Sequence, residues 1–109
     1  MTSKFAVIIE DGTSNLRVAL LDSETKSFGR FLPPFNEVPL RNLEMGTKVA
    51  KKHFEIRWND ARECHEIRDW EPTYATAVNG IPLGEEARSL VPGDVIRICI
   101  FTLHYVIVE

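Results

Sequence analysis

Apolar and polar residues alternate along most of this chain, and no stretch sustains a helical period. Successive side chains of a strand point to opposite faces, so a period of two marks half-buried β-structure. Phe5, Val7 and Ile9 alternate in the run 4–10, Leu16, Val18 and Leu20 in 16–21, and Phe54, Ile56 and Trp58 in 52–58. The runs 64–69, 77–83, 94–100 and 102–109 continue the pattern, and 28–31 is short and β-prone. Asp11-Gly-Thr-Ser-Asn15 between the first two runs predicts a hairpin, and Asn79-Gly80 and Pro92-Gly93-Asp94 predict two further turns. The stretch 32–40 contains three prolines, which cannot donate to a ladder, so it is not a central strand. Only Gly84–Leu90 reads as a helix, of about two turns. Many short strands separated by Asn, Asp, Gly and Pro predict an all-β sandwich. Phe54, Ile56, Ile67, Val78, Ile96 and Ile98 are its expected core.

The chain's 109 residues fit one domain spanning 1–109, and at 44% hydrophobic and 27% charged it can bury a modest core unaided. Acidic residues outnumber basic ones 16 to 13, for a net charge of −3, which argues against direct nucleic-acid binding. The apolar run at the N-terminus is too short for a signal peptide or a membrane span. Cys64 and Cys99 lack the spacing of a disulfide framework, so two reduced thiols in an intracellular protein are expected. The chain stops within an apolar alternation, as expected of a domain excised from a longer protein or forming its N-terminal part.

No enzyme is expected. Cys64 and His65 are adjacent on a strand and therefore face opposite sides, so they cannot form a thiolate–imidazole pair. His53, Cys64, His65, Cys99 and His104 have none of the spacings of a zinc site. The chain has no glycine-rich phosphate loop and no nucleophile elbow, and it calls for no metal or cofactor.

Taken in order, Phe28-Gly29-Arg30, then Val49-Ala-Lys-Lys-His-Phe-Glu-Ile56, then the stretch from Ile67 to Leu83, then Leu90-Val-Pro-Gly-Asp-Val-Ile-Arg-Ile98 resemble the forkhead-associated (FHA) domain from about Phe5 to Val108. The resemblance implies a β-sandwich of two antiparallel or mixed sheets with about eleven short strands, whose loops at one end grip a phosphothreonine peptide. It places Gly29 and Arg30 on the family's Gly-Arg pair, whose arginine contacts phosphate. A guanidinium suits that task because it stays charged and offers a planar fork to phosphate oxygens. His53 falls on the histidine of Ser-x-x-His, which braces the binding loops. Asn79, Gly80 and Asp94 fall on structural turns. An intracellular setting is implied, in a eukaryote the nucleus before the cytoplasm.

The chain also departs from the family pattern. Ala50 stands where the serine of Ser-x-x-His donates to phosphate, and Thr73-Tyr74-Ala75-Thr76 stands where the family has Thr-Asn-Gly-Thr. A hydrogen bond to a charged group contributes about 1.5–3 kcal/mol, so losing the serine alone weakens binding roughly ten- to a hundredfold. Lys51, Lys52, Thr47 and Thr73 are candidates to compensate, and Tyr74 is a candidate contact in the rewritten loop. Two functions follow. One is a non-enzymatic interaction module with weakened or lost phosphothreonine recognition, binding a protein partner or a second copy of itself. The other is a working phosphothreonine-peptide reader of altered specificity, using Arg30, Lys51 and Thr73.

Overall fold

A computed structural model describes residues 4–22, 24–40, 49–70 and 75–108. Among them are eleven strands: β1 (Lys4–Glu10), β2 (Leu16–Leu20), β3 (Thr25–Gly29), β4 (Val38–Pro39), β5 (Phe54–Asn59), β6 (Cys64–Asp69), β7 (Ala77–Val78), β8 (Ile81–Pro82), β9 (Arg88–Ser89), β10 (Val95–Ile98) and β11 (Phe101–Val108). They form a six-stranded sheet ordered β2-β1-β11-β10-β7-β8 and a five-stranded sheet ordered β4-β3-β5-β6-β9. β4 runs parallel to β3, whereas the other described pairings are antiparallel. This is the all-β sandwich of two sheets that the alternation predicts.

The expected core lies between the sheets. Phe54, Ile67 and Ile96 have no exposure, and Ile56, Ile98 and Val78 have at most 2%. Period-two burial produces this arrangement, because one face of each strand meets its counterpart across the sandwich. Phe28 and Phe54 stack at 4.7 Å between centroids. Elsewhere in the core, Phe5 and Trp58 surround His65, whose Nδ1 lies 2.7 Å from the Tyr105 hydroxyl. Burial lowers the His65 pKa and raises that of Tyr105. A neutral imidazole whose Nδ1 accepts a hydrogen bond from the tyrosine hydroxyl satisfies both atoms.

Two local readings need correction. Gly84–Leu90 is not helical: Arg88–Ser89 pairs with Glu66 and Ile67 as an edge strand. Arg88 donates to the carbonyls of Ile81 and Pro82, and Leu83 and Leu90 are buried, so side-chain anchoring overrides the helical propensity of the acidic pair. The alternation of Leu16, Val18 and Leu20 marks the outer face, since these residues are 62%, 64% and 47% exposed. It is Leu21, just past the strand, that turns into the core. Arg17, between Leu16 and Val18, reaches across the open side of the sandwich and donates to the Pro39 carbonyl. That contact ties edge strand β2 to edge strand β4. The hairpin between β1 and β2 forms as expected.

Candidate functional site

The site begins at the end of β3. Three consecutive carbonyls of the segment before β5 accept hydrogen bonds from the residues leaving β3: Val49 from the Arg30 Nε at 3.0 Å, Ala50 from the Arg30 amide at 2.9 Å, and Lys51 from the Phe31 amide at 3.2 Å. Such close backbone approach requires glycine at the preceding position. A Cβ on Gly29 would stand 2.5 Å from the Lys51 carbonyl oxygen and 2.8 Å from the Lys52 Cα. Gly29 is thus needed to seat the 49–53 segment, although it contributes no ligand group of its own.

Asn36 completes the junction. It is fully buried, and its Nδ2 donates to the carbonyls of Phe31 at 2.7 Å and Lys51 at 2.6 Å. With two acceptors on one side, the amide can satisfy both contacts only with its NH₂ facing them. No sequence feature singled out Asn36 within the proline-rich stretch. The available signal was a polar residue between Phe35 and Val38 in a stretch that returns to the core at Val38 and Leu40.

His53 is buried and accepts from the Ala50 amide at Nδ1, at 3.0 Å. This contact closes the turn Ala50-Lys51-Lys52-His53 from within and places the ring proton on Nε2. The His53 amide and carbonyl bond Phe28 and Trp70, so one residue links β3, β5 and the end of β6.

The charges converge on this turn. The Arg30 guanidinium carbon and the Lys51 Nζ each lie 5.3 Å from the centroid of the Phe31 ring, so the two cations are no farther apart than twice that distance. Lys52 Nζ lies 4.7 Å from the centroid of Trp70, and the Arg68 guanidinium 6.0 Å. Four cations thus collect around two aromatic rings on a chain that is acidic as a whole. Between them is a groove of about 510 Å³ lined by Phe31, Pro34, Phe35, Lys51, Lys52 and Trp70.

Thr47, Thr73 and Tyr74 lie outside the described residues. Asn79, Gly80 and Asp94 belong to a separate network. Asn79 and Gly80 both have positive φ, at 52° and 82°, the geometry of a tight hairpin turn between β7 and β8. Asn79 Nδ2 donates to Asp94 Oδ1 at 2.9 Å, and Asn79 Oδ1 accepts from the Val95 amide at 2.9 Å. Asp94 Oδ2 caps the Val91 amide. Cys64 and His65 diverge as expected, the thiol toward Ser89 and the imidazole toward Tyr105. Among the described residues, no three His, Cys, Asp or Glu side chains gather as metal ligands.

Comparison with known proteins agrees with this architecture. The family model of the FHA domain matches residues 26–99. No curated protein matches the chain. Among solved structures, the chain is 26% identical to the FhaA FHA domain, solved in complex with the intracellular domain of Rv3910, with a TM-score of 0.74 over 93% of this chain and 98% of that one. A domain solved for the structural and functional analysis of phosphothreonine-dependent FHA domain interactions is 24% identical, with a TM-score of 0.77 over 97% of this chain and 98% of that one. Full-length yeast Pml1p is 15% identical, with a TM-score of 0.83 over 97% of this chain and 83% of that one.

Proposed function

The chain belongs to the FHA domain family, whose members are phosphopeptide-binding and generally non-catalytic interaction modules, and from that premise we propose that it is a protein-interaction module binding a phosphothreonine peptide weakly through Arg30 and Lys51. The observation that carries this reading is the placement of both cations about the Phe31 ring. Arg30 Nε is committed to the Val49 carbonyl, which orients the guanidinium and leaves its terminal nitrogens for a phosphate. Fixing the fork beforehand reduces the entropy lost on binding. Lys51 adds a point charge from the facing turn. Ala50 has no hydroxyl to give, so the affinity falls below that of a domain with serine there. The chain supplies binding and no chemistry.

A titration with a degenerate phosphothreonine peptide library tests this reading. Arg30→Ala should abolish phosphate-dependent binding, and Ala50→Ser should strengthen it by up to about tenfold, about 1.4 kcal/mol. Binding indifferent to both substitutions would overturn the reading. A second reading, a scaffold that pairs with a copy of itself, draws support from the exposed Leu16, Val18 and Leu20 on edge strand β2. Sedimentation as a dimer that Val18→Lys converts to monomer would favour it.

A further inference from the structure

The outer faces of the two sheets differ in kind. On the five-stranded sheet, β5 and β6 set Glu55 against Arg68 and Arg57 against Glu66 on the outer side, as a sheet with one face in water does. On the six-stranded sheet, β2, β1 and β11 set Val18 against Ile8, and Leu20 against Ala6 and Val106. Leu16 and Val18 are 62% and 64% exposed, and Ile8 and Val106 are half-buried. Aliphatic side chains that run together over three strands and stand open to water mark an interaction surface. The charges of β1 sit at the ends of this face. Lys4 and Glu10 share the outer side with Ala6 and Ile8, because a period of two returns alternate residues to one face. His104, beside Ile8 in register, bonds the Glu10 carboxylate at 2.8 Å and holds it on the face.

Resting on the self-pairing reading, we propose that this face is covered by the same face of a second copy. The two six-stranded sheets pack face to face and do not join edge to edge at β2. Charge selects the symmetry. A two-fold axis lying between the sheets and crossing β1 at Val7 makes the two β1 strands antiparallel, which lays Lys4 of each copy over Glu10 of the other. An axis along the strands would instead stack Lys4 on Lys4 and Glu10 on Glu10. The first axis also places large side chains over small or matching ones. Ile8 falls over Ala6, and because Val7 pairs with Ala19, Val18 falls over Leu20. Packed sheets lie about 10 Å apart with strand directions within about 30°, a gap that an opposed lysine and glutamate span. From β2 to β10 the face measures about 19 Å, and along β1 about 24 Å. Two such faces bury about 900 Å² in flat projection, and side-chain relief brings this to the roughly 1,000 Å² that a specific but weak interface needs.

Sedimentation equilibrium of the chain, up to about 1 mM, tests this and should show a reversible dimer in the micromolar range. Val106 lies on β11, two strands in from the open edge of β2, where edge-to-edge joining leaves it untouched. Val106→Glu should therefore abolish the dimer while the melting temperature of the dilute monomer stays unchanged. Lys4→Glu and Glu10→Lys should each weaken dimerisation about tenfold, since each sets like charges against each other twice. An equimolar mixture of these two variants should dimerise about as tightly as the unaltered chain, because each then meets the opposite charge on the other. Both changes lie at strand ends, so the mixture decides the matter even where Val106→Glu fails to fold. A dimer that survives Val106→Glu overturns face packing and leaves the self-pairing reading standing. A monomer at every concentration overturns both. A mixture no tighter than either variant alone overturns the two-fold arrangement.

Discussion

The side-chain amide of Asn36 holds the backbone carbonyl of Lys51 at 2.6 Å, fixing one of the two candidate phosphate contacts from a residue that no ligand can touch. Its second bond, to the Phe31 carbonyl, makes Asn36 the staple between the loop after β3 and the turn before β5. Asn36→Ala should leave these part-buried carbonyls each one donor short and cost about 1–3 kcal/mol. Urea denaturation reads that loss. Phosphopeptide affinity should fall with it, because the turn carrying Lys51 loses its tether. A variant destabilised as expected but binding with unchanged affinity would show that the staple does not position the site.

Gly29 and Gly80 should respond differently to alanine. At Gly29 the new methyl meets backbone atoms at 2.5 and 2.8 Å, so the turn must move. Overpacking of this kind costs about 1–3 kcal/mol, and a shift of the 49–53 segment displaces Lys51. At Gly80 a Cβ meets nothing within 4 Å, but φ is +82°, and the cost is the backbone strain of about 1–2 kcal/mol. Both variants should melt earlier. Only Gly29→Ala should also weaken peptide binding, and equal binding by the two variants would contradict this account.

The hairpin turn at Asn79 and the turn at Asp94 act as one unit through their 2.9 Å side-chain bond. A double-mutant cycle of Asn79→Ala and Asp94→Ala should therefore give a coupling of about 0.5–3 kcal/mol. Additive losses would mean that the two turns are energetically separate.

Burial depresses the pKa of His65, so the folded state binds fewer protons there than the unfolded state. Stability from this residue is complete above the unfolded value of about 6.5 and is lost as pH falls from there toward the lowered folded value. The Tyr105 hydroxyl, whose own pKa is raised by burial, stays a donor throughout this window. The thermal midpoint should decline as pH falls below about 6.5, and His65→Gln should flatten that slope. An identical slope in the variant would remove His65 as its cause.

The alternation of side chains was enough to determine strands, their apolar faces and the burial of Ile96 and Ile98, because a period of two is a local property of extended backbone. The short motifs around Gly29, His53 and Asp94 determined the family, since each marks a backbone need that only a few residue types meet. Which face of β2 is outermost was not legible, because Leu16, Val18 and Leu20 alternate as core residues do, and only packing put Leu21 inside. The helical pattern of Gly84–Leu90 likewise gave way to anchors on neighbouring strands. The site itself was the work of tertiary structure. Arg30 and Lys51 are distant in the chain, and both come within 5.3 Å of the centroid of one ring because Gly29 admits the Val49–Lys51 carbonyls and Asn36 holds that of Lys51. Hydrogen bonds between distant segments leave no periodic trace in the sequence. For that reason Asn36 and the Phe35–Trp70 groove emerged only once the chain was folded.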